Sequence, residues 1–206
     1  MKYLFGIVLV LCFSCGSKED VLLPKSDVTI VKDVVDLSPI YIFFRVNGKD
    51  TLAEVNRKNS IITTNWILNI DKRLPLRLVI PEVIKLQQRK REEKEHRNEL
   101  ALNYYSYADS IGKNLAFIPF TEVFYKMEKP IGTVIFFNKK NEILLENQLI
   151  TKEKLRELIN ATLPENKGKK FLFGFDKNLD FGIYVQDIIF IKTLNRKIIS
   201  NEEFIY

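Results

Sequence analysis

Cysteine and histidine are scarce in this chain of 206 residues, and each scarcity excludes a class of site. The two cysteines, Cys12 and Cys15, both lie near the N-terminus, so we expect neither a disulfide nor a thiol nucleophile in the rest of the protein. His96 is the only histidine and lies in a run of charged residues. A serine–histidine catalytic pair and a histidine-based metal site are therefore not expected.

Glycine-rich phosphate loops are also missing, because the glycines that follow the N-terminal leader stand in isolation. The acidic residues Asp176 and Asp180 have the side chains that a glycosidase uses, but we interpret the first as a turn residue and the second as a helix cap. We therefore predict that the protein is not an enzyme and that it uses no cofactor and no metal. A hydrolase is the disfavoured alternative, which any turnover of a substrate would revive.

Charge of one sign does not dominate the sequence. It contains 32 Lys and Arg residues against 26 Asp and Glu residues, a formal net charge of +6. Both signs alternate in Gln87–Glu99, where we expect a solvated helix rather than a basic docking face. Nucleic acid is therefore not an expected partner. A hydrophobic content of 46% is typical of a globular protein with one large domain or two small ones.

The first fourteen residues carry a single charge, Lys2, followed by the apolar run Leu4–Phe13. This run is too short to span a bilayer, so residues 1–14 are predicted to be a signal peptide rather than an anchor helix. Ser14 directly before Cys15 is similar to the cleavage site of a bacterial lipoprotein. The similarity implies that a lipid on Cys15 attaches the protein to a membrane. The alternative is ordinary cleavage nearby, with Cys15 as an incidental cysteine.

A tether is predicted from residue 15 to residue 36. Near its start, Lys18, Glu19 and Asp20 resemble the export signal that sends lipoproteins to the cell surface in the Bacteroidetes. A simple polar start of the tether is the alternative. The predicted location is the outer membrane, with the protein facing either the periplasm or the cell surface.

Two triplets resemble the O-glycosylation motif of exported Bacteroidetes proteins. They are Asp50-Thr51-Leu52 and Asp109-Ser110-Ile111, so the modified residues would be Thr51 and Ser110. Motifs of this length also recur by chance, and that is the alternative.

Residues 37–112 are predicted to form an N-terminal α+β region with a long charged helix. Asn47-Gly48 between two apolar runs indicates a hairpin, and Ile61–Ile70 indicates a further strand. A helix is expected next, and we expect it to continue through Gln87–Glu99. Three tyrosines are expected to close this helix: Tyr104, Tyr105 and Tyr107.

Residues 113–206 are predicted to form a C-terminal domain. The β-branched and aromatic run Ile131–Phe137, a polar turn and the return strand Glu142–Glu146 indicate a hairpin. The apolar residues of Thr151–Leu163 recur at helical spacing, with Thr151 as a suitable N-cap. Pro164 is expected to end this helix.

The aromatic side chains of Phe171–Phe175 alternate, so they share one face if the segment is a strand. A second helix is expected after Asp180, and the last ten residues can supply a closing strand. The order is then β-β-α-β-α-β, an α+β domain with both helices on one face of a sheet. We expect Asn114–Tyr206 to fold on its own.

The block Phe171–Val185 joins this strand to the pair Asp176-Lys177 and to the pair Phe181-Gly182, which opens the second helix. Together with the hairpin and the helix Thr151–Leu163, the block resembles the periplasmic domain of the ExbD/TolR biopolymer-transport family, over about the last third of the chain. Family members carry a transmembrane helix with a membrane-embedded aspartate, and we expect neither here. Proton-coupled energy transduction is therefore not carried over.

The resemblance implies a non-enzymatic, lipid-anchored protein of the cell envelope. It would be accessory to biopolymer transport or to Ton/Tol-type energy-transduction machinery, through binding to ExbB/TolQ-like or TonB-like proteins. The alternative is a peptidoglycan-binding or surface-binding lipoprotein that is unrelated to energy transduction. A homodimer is left open.

The two regions also resemble each other. Trp66–Leu86 matches Phe171–Ile191 at a shift of 105 residues, and Ile40–Phe44 is similar to Thr133–Phe137 at a shorter shift. A degenerate internal copy is one interpretation, and a generic strand-turn-helix similarity is the other. Pro81 indicates that the helix of the first copy is kinked or starts later. Four residues are identical at the longer shift: Asp71/Asp176, Lys72/Lys177, Leu74/Leu179 and Ile84/Ile189.

Overall fold

In the computed structural model, which describes residues 20–95, 98–161, 170–194 and 199–206, the chain forms two mixed six-stranded β-sheets with α-helices. The predicted α+β class is confirmed. Central strands such as Asn65–Ile70 and Phe171–Phe175 are rich in aliphatic and aromatic residues, which suit a sheet buried on one or both faces.

The first sheet and its helix comprise β1 Lys25–Ser26, β2 Leu37–Asn47, β3 Asp50–Asn56, β4 Asn65–Ile70, α1 Leu76–Glu92, β5 Asn103–Asp109 and β6 Leu115–Pro119. The sheet contains a hairpin followed by a strand-helix-strand unit. Strands β2 and β3 are antiparallel, β2 pairs in parallel with β4, and β4 pairs in parallel with β5. β5 also pairs with the short β1 and, antiparallel, with β6. Gly48 in the hairpin turn has a φ of 61°, a left-handed conformation that glycine adopts without strain.

The second sheet and its helices comprise β7 Phe124–Lys126, β8 Val134–Phe137, β9 Ile143–Leu145, β10 Gln148–Ile150, α2 Lys152–Ala161, β11 Phe171–Phe175, α3 Phe181–Lys192 and β12 Ile199–Ile205. The strand order in this sheet is β10-β9-β8-β11-β12-β7. From β8 onward the chain contains the predicted hairpin, helix, strand, helix and strand, with one extra short strand, β10. The backbone N–H of Lys154 donates to the Thr151 hydroxyl over 3.2 Å, so Thr151 caps α2 as expected.

One hydrophobic core is shared by both sheets. Helix α3 lies between them, because its Tyr184 ring is 5.0 Å from Phe175 of the second sheet and 6.4 Å from Tyr105 of the first, measured between ring centroids. A helix enclosed on several sides is apolar around most of its circumference, as α3 is. Phe173 and Phe175 are buried in this core and Phe171 packs against it, so the predicted alternation of β11 is confirmed.

The starts of α1 and α3 meet in a contact with local twofold symmetry. At its centre Pro75 and Asp180, which are 105 residues apart, form an isolated antiparallel bridge. Both are N-cap residues, and neither caps its helix with a side chain. The backbone hydrogen bonds around the bridge come in two matched pairs. In the first pair, the N–H of Leu76 donates to the Leu179 carbonyl over 3.0 Å, and the N–H of Phe181 donates to the Leu74 carbonyl over 2.8 Å. In the second pair, the N–H of Arg77 donates to the Lys177 carbonyl over 2.7 Å, and the N–H of Gly182 donates to the Lys72 carbonyl over 2.9 Å.

Within each pair, the donor and acceptor residues of one bond lie 105 positions away in sequence from the donor and acceptor residues of the other bond. The first amide groups of each helix, which have no partner within their own helix, are therefore satisfied by carbonyl groups of the other copy. Strands β2, β3, β4 and β5 correspond in pairing to β8, β9, β11 and β12. This reciprocity supports the interpretation of the chain as two divergent copies of one unit.

The first strands of the two copies, β2 and β8, correspond in the structure at a shift of 95 residues. The sequence similarity of Ile40–Phe44 to Thr133–Phe137 implies a shift of 93 residues, which is two fewer. Ile42 lies opposite Ile70, and Phe137 lies opposite Phe175. A difference of two residues keeps the same face of the strand toward the core, so hydrophobic alternation alone does not detect it.

The N-terminal region differs from its prediction at the charged helix. α1 ends at Glu92, and the three tyrosines that were expected to close it lie in strand β5, where Tyr105 and Tyr107 are buried. Aromatic residues favour strands, and β5 gains pairing on both edges, which outweighs continuation of the helix. α1 begins at Leu76, before Pro81, so the later start considered for this helix does not occur.

The boundary predicted between residues 112 and 113 does not coincide with a boundary between the sheets. β6 follows it in sequence but pairs with β5 over Leu115–Pro119, and so belongs to the first sheet. A fragment from Asn114 would separate β6 from β5 and would expose the face of α3 that packs on the first sheet. We therefore expect the two copies to fold together, whereas the sequence alone led to the expectation that Asn114–Tyr206 folds on its own.

Candidate functional site

A cleft opens where the connection from β6 to β7, the C-terminal half of α3 and the start of β12 meet. Its volume is about 280 Å³, and Glu203 of β12 is part of its lining. We call this feature the Glu203 cleft. Aliphatic side chains form most of its wall: Leu102, Val123, Ile188, Ile191 and Ile199.

The alternation of β12 carries Glu203 toward the interior. Ile205 is buried in the core, and Glu203, two residues before it, points to the same face of the strand. On α3, Tyr184, Ile188 and Ile191 follow one another at helical spacing and reach the same region. An acidic side chain is thus placed on the inner face of a sheet, where most neighbours are apolar.

Three tyrosine hydroxyl groups connect Glu203 to the first sheet. The Tyr184 hydroxyl donates to Oε2 of Glu203 over 2.5 Å, and it lies 3.3 Å from the hydroxyl of Tyr125. The hydroxyls of Tyr125 and Tyr105 share a hydrogen bond of 2.8 Å. The chain of polar groups therefore crosses the core from β5, through β7 and α3, to β12.

Burial governs the protonation of this network. It raises the pKa of Glu203 to about 7, although the hydrogen bond from Tyr184 and the positive charge of Lys192 act in the opposite direction. Burial also raises the pKa of Tyr105, Tyr125 and Tyr184 well above the ordinary tyrosine value. The tyrosines therefore stay neutral, and Glu203 is the group that changes charge near neutral pH.

Only one oxygen of Glu203 is occupied by this network. Among the described residues, Tyr184 is its sole hydrogen-bond donor, and that bond ends on Oε2. No buried side-chain oxygen or nitrogen of the described residues lacks a partner, so Oε1 is not sealed inside the protein. Because Glu203 lines the cleft, its second oxygen is available to a bound group. Apolar walls with one such polar group are typical of a binding site.

The motif that carries the family resemblance consists of Asp176, Lys177, Phe181 and Gly182, and these residues lie at the twofold contact and not in the cleft. Phe181 is buried, with its ring centroid 5.3 Å from that of Tyr105, and Lys177 is exposed. Asp176 accepts the backbone N–H of Asn178 over 2.8 Å, as its interpretation as a turn residue implies.

Gly182, the last residue of the motif, lies against the first copy. A Cβ atom on it would be 2.9 Å from Cβ of Lys72, which is too close, so a glycine suits this approach of the two copies. The motif residues thus help to join the halves of this chain.

The other predicted sites lie apart from the cleft or outside the described residues. Cys15, Lys18 and Glu19 are outside the described residues, and Asp20 is exposed at their start. Thr51 lies in the edge strand β3, and exposed Ser110 follows β5. The structure does not bring these residues together.

Neither a cluster of metal-ligating side chains nor a membrane-spanning helix is found in the part of the chain that the structure describes. It contains no group of three or more potential metal-ligating side chains of the His, Cys, Asp or Glu type. No helix in that part combines the length and the apolar character needed to cross a membrane.

The sequence prediction missed Glu203 because nothing in its local sequence distinguishes it from the polar residues Asn201 and Glu202 beside it. One sequence signal for Glu203 was available. Side chains two residues apart in a strand lie on the same face, so the apolar Ile205 indicates that Glu203 also faces inward in the closing strand. Tyr184 lies in the helix that was expected after Asp180, but the position of its hydroxyl depends on strands distant in sequence.

Comparison of the chain with protein-family models, with curated proteins and with solved structures finds no match.

Proposed function

We propose that this protein is a non-enzymatic, lipid-anchored component of the cell envelope that acts by binding another protein. Its role would be accessory to biopolymer transport or to Ton/Tol-type energy-transduction machinery. Two features support the proposal: the predicted leader followed directly by Cys15, and the resemblance of the C-terminal copy to the periplasmic domain of ExbD/TolR proteins. The order of elements from β8 to β12 agrees with that resemblance.

The Glu203 cleft is the observation that carries a binding function. It is open, mostly aliphatic and about 280 Å³ in volume, which is enough for a side chain of a partner. The Glu203 carboxyl group is part of its lining, and the tyrosine hydroxyl groups that continue from it into the core have a raised pKa, so neither is an activated nucleophile. A recess of this kind suits recognition better than covalent catalysis.

Crosslinking in living cells tests the proposal. A photoreactive amino acid at Glu122, which is exposed on the rim of the cleft, should crosslink to an ExbB/TolQ-like or TonB-like protein. The same amino acid at Lys58, which is exposed and does not line the cleft, is the control and should not. Equal products at both positions, or none at Glu122, would contradict the proposal. Sedimentation with purified peptidoglycan and no protein crosslink would support the peptidoglycan-binding alternative instead.

A further inference from the structure

We propose that the Glu203 cleft accepts a long basic side chain, lysine or arginine, from the protein that it binds. The cationic head would lie on the free oxygen of Glu203, and the aliphatic stem would lie against the wall of the cleft. This inference rests on the proposed function, because it names the chemistry of the partner at the same site.

The charges that face Glu203 favour a cation. From α3 the neighbours are Tyr184 and Lys192, from β7 Tyr125, and from β5 Tyr105, and the three tyrosines are neutral. The Lys192 ammonium group is engaged, since its Nζ donates to the Pro119 carbonyl over 3.0 Å. A second carboxyl group, Glu122, lies on the rim. With both carboxyl groups ionised, the lining therefore carries two negative charges against the single positive charge of Lys192.

The shape of the cleft favours a side chain over a free small molecule. Its volume of about 280 Å³ falls just below the range for small-molecule pockets, roughly 300–1,000 Å³. Lysine and arginine bury an apolar stem while the charged head reaches a polar group, and Ile188, Ile191 and Ile199 offer the matching apolar surface. A charge-assisted hydrogen bond to Glu203 would then fix the head.

A pair of matched ligands tests the proposal on the purified full chain. Nα-acetyl-lysine amide and Nα-acetyl-norleucine amide have the same four-carbon stem and differ by the terminal ammonium group, and binding is followed through the methyl NMR signals of isoleucine. At pH 8 the lysine ligand should bind on the order of tenfold more tightly, although the apolar wall favours norleucine. N-acetyl-arginine amide should behave like the lysine ligand, and N-acetyl-glutamate amide should not bind.

Substitutions at two neighbouring residues test whether the preference for lysine depends on the charge of Glu203. Glu203→Gln keeps an oxygen that can accept from Tyr184 and removes the charge, so the preference for lysine over norleucine should disappear. Glu202→Gln is the matched control, because Glu202 lies next in sequence on the opposite face of β12 and pairs with Lys126 over 2.7 Å. This control should keep the full preference.

Acidity provides a test that needs no variant. As Glu203 takes up a proton below pH 7, the preference for lysine should fall several-fold between pH 8 and pH 5.5. Equal binding of lysine and norleucine at pH 8, a preference that does not change with pH, or an equal loss in both variants would each overturn the proposal. So would no binding of the basic ligands at all.

The two proposals fail separately. An envelope partner that crosslinks at Glu122, without any lysine preference in the purified protein, would remove this inference alone. A lysine preference without an envelope partner would remove the proposed function alone.

Discussion

Glu203→Gln should change how the stability of this protein depends on pH. The carboxyl group has an ordinary pKa of 4.5, which applies to the unfolded chain, and a pKa of about 7 in the folded protein. The folded state therefore holds the proton more tightly. The resulting stabilisation is complete below pH 4.5 and is lost as the pH rises through 7. Glutamine has no proton to release, so the variant should lack this loss.

The size of the effect follows from the two pKa values. They differ by about 2.5, and each unit corresponds to about 1.4 kcal/mol, so the loss amounts to roughly 3 kcal/mol between pH 4.5 and pH 8. That is a large share of a typical unfolding free energy of about 5–15 kcal/mol. Relative to the unsubstituted protein, the variant should therefore gain roughly 3 kcal/mol when the pH is raised over this interval.

Urea denaturation at several pH values from 4.5 to 8 measures this difference. Comparing the variant with the unsubstituted protein at each pH cancels the other titrating groups, including Asp187, whose pKa is raised to about 6 by burial. Glu202→Gln is the control, because Glu202 pairs with Lys126 on the outer face of β12. Parallel pH profiles for the unsubstituted protein and Glu203→Gln would refute the reasoning, and so would the same profile change in the control.

Three further predictions address the core and the anchor. Phe173→Ala should lower the free energy of unfolding by about 3–5 kcal/mol, because the side chain is only 2% exposed. Phe136→Ala, on the half-buried outer face of the sheet, should lower it by only about 1–2 kcal/mol. Chemical denaturation measures both values, and equal costs would contradict the assignment of the two side chains to opposite faces. Cys15→Ala should abolish fatty-acid labelling, and labelling that persists would exclude Cys15 as the lipidated residue. Protease added to whole cells should digest the unsubstituted protein and spare a variant with alanine at residues 18–20, whereas protection of the unsubstituted protein would place it in the periplasm.

Much of the fold could be read from local patterns. The Asn47-Gly48 turn, the Thr151 cap and the alternation of Phe171–Phe175 lie where they were expected, because each is determined by side chains that are close in sequence. The tyrosines of β5 were assigned to a helix because a run of charged residues before them has no clear end. Pairing with β4 and β6, which decides their conformation, is not visible in that segment.

The interpretation of the two halves of the chain as copies of one unit depends on both the sequence and the structure. Four identities at a shift of 105 residues left the interpretation open between a copy and a chance similarity. The reciprocal bonds around Pro75 and Asp180 favour a copy, because chance similarity does not require the two helix starts to cap each other. The role of Gly182 also depends on this contact, since the atoms that crowd it belong to Lys72.

The α+β class, most of the strands and helices and the candidate lipid attachment at Cys15 could be predicted from the sequence, since each depends on composition or on residues close in sequence. The place where the two sheets meet depends on contacts between distant segments, and that meeting creates the candidate site. Glu203 gains its raised pKa from burial, and its hydrogen bond from Tyr184 comes from another element of the fold. Burial and contacts between distant segments arise when the core forms, so no local pattern could assign this glutamate its role.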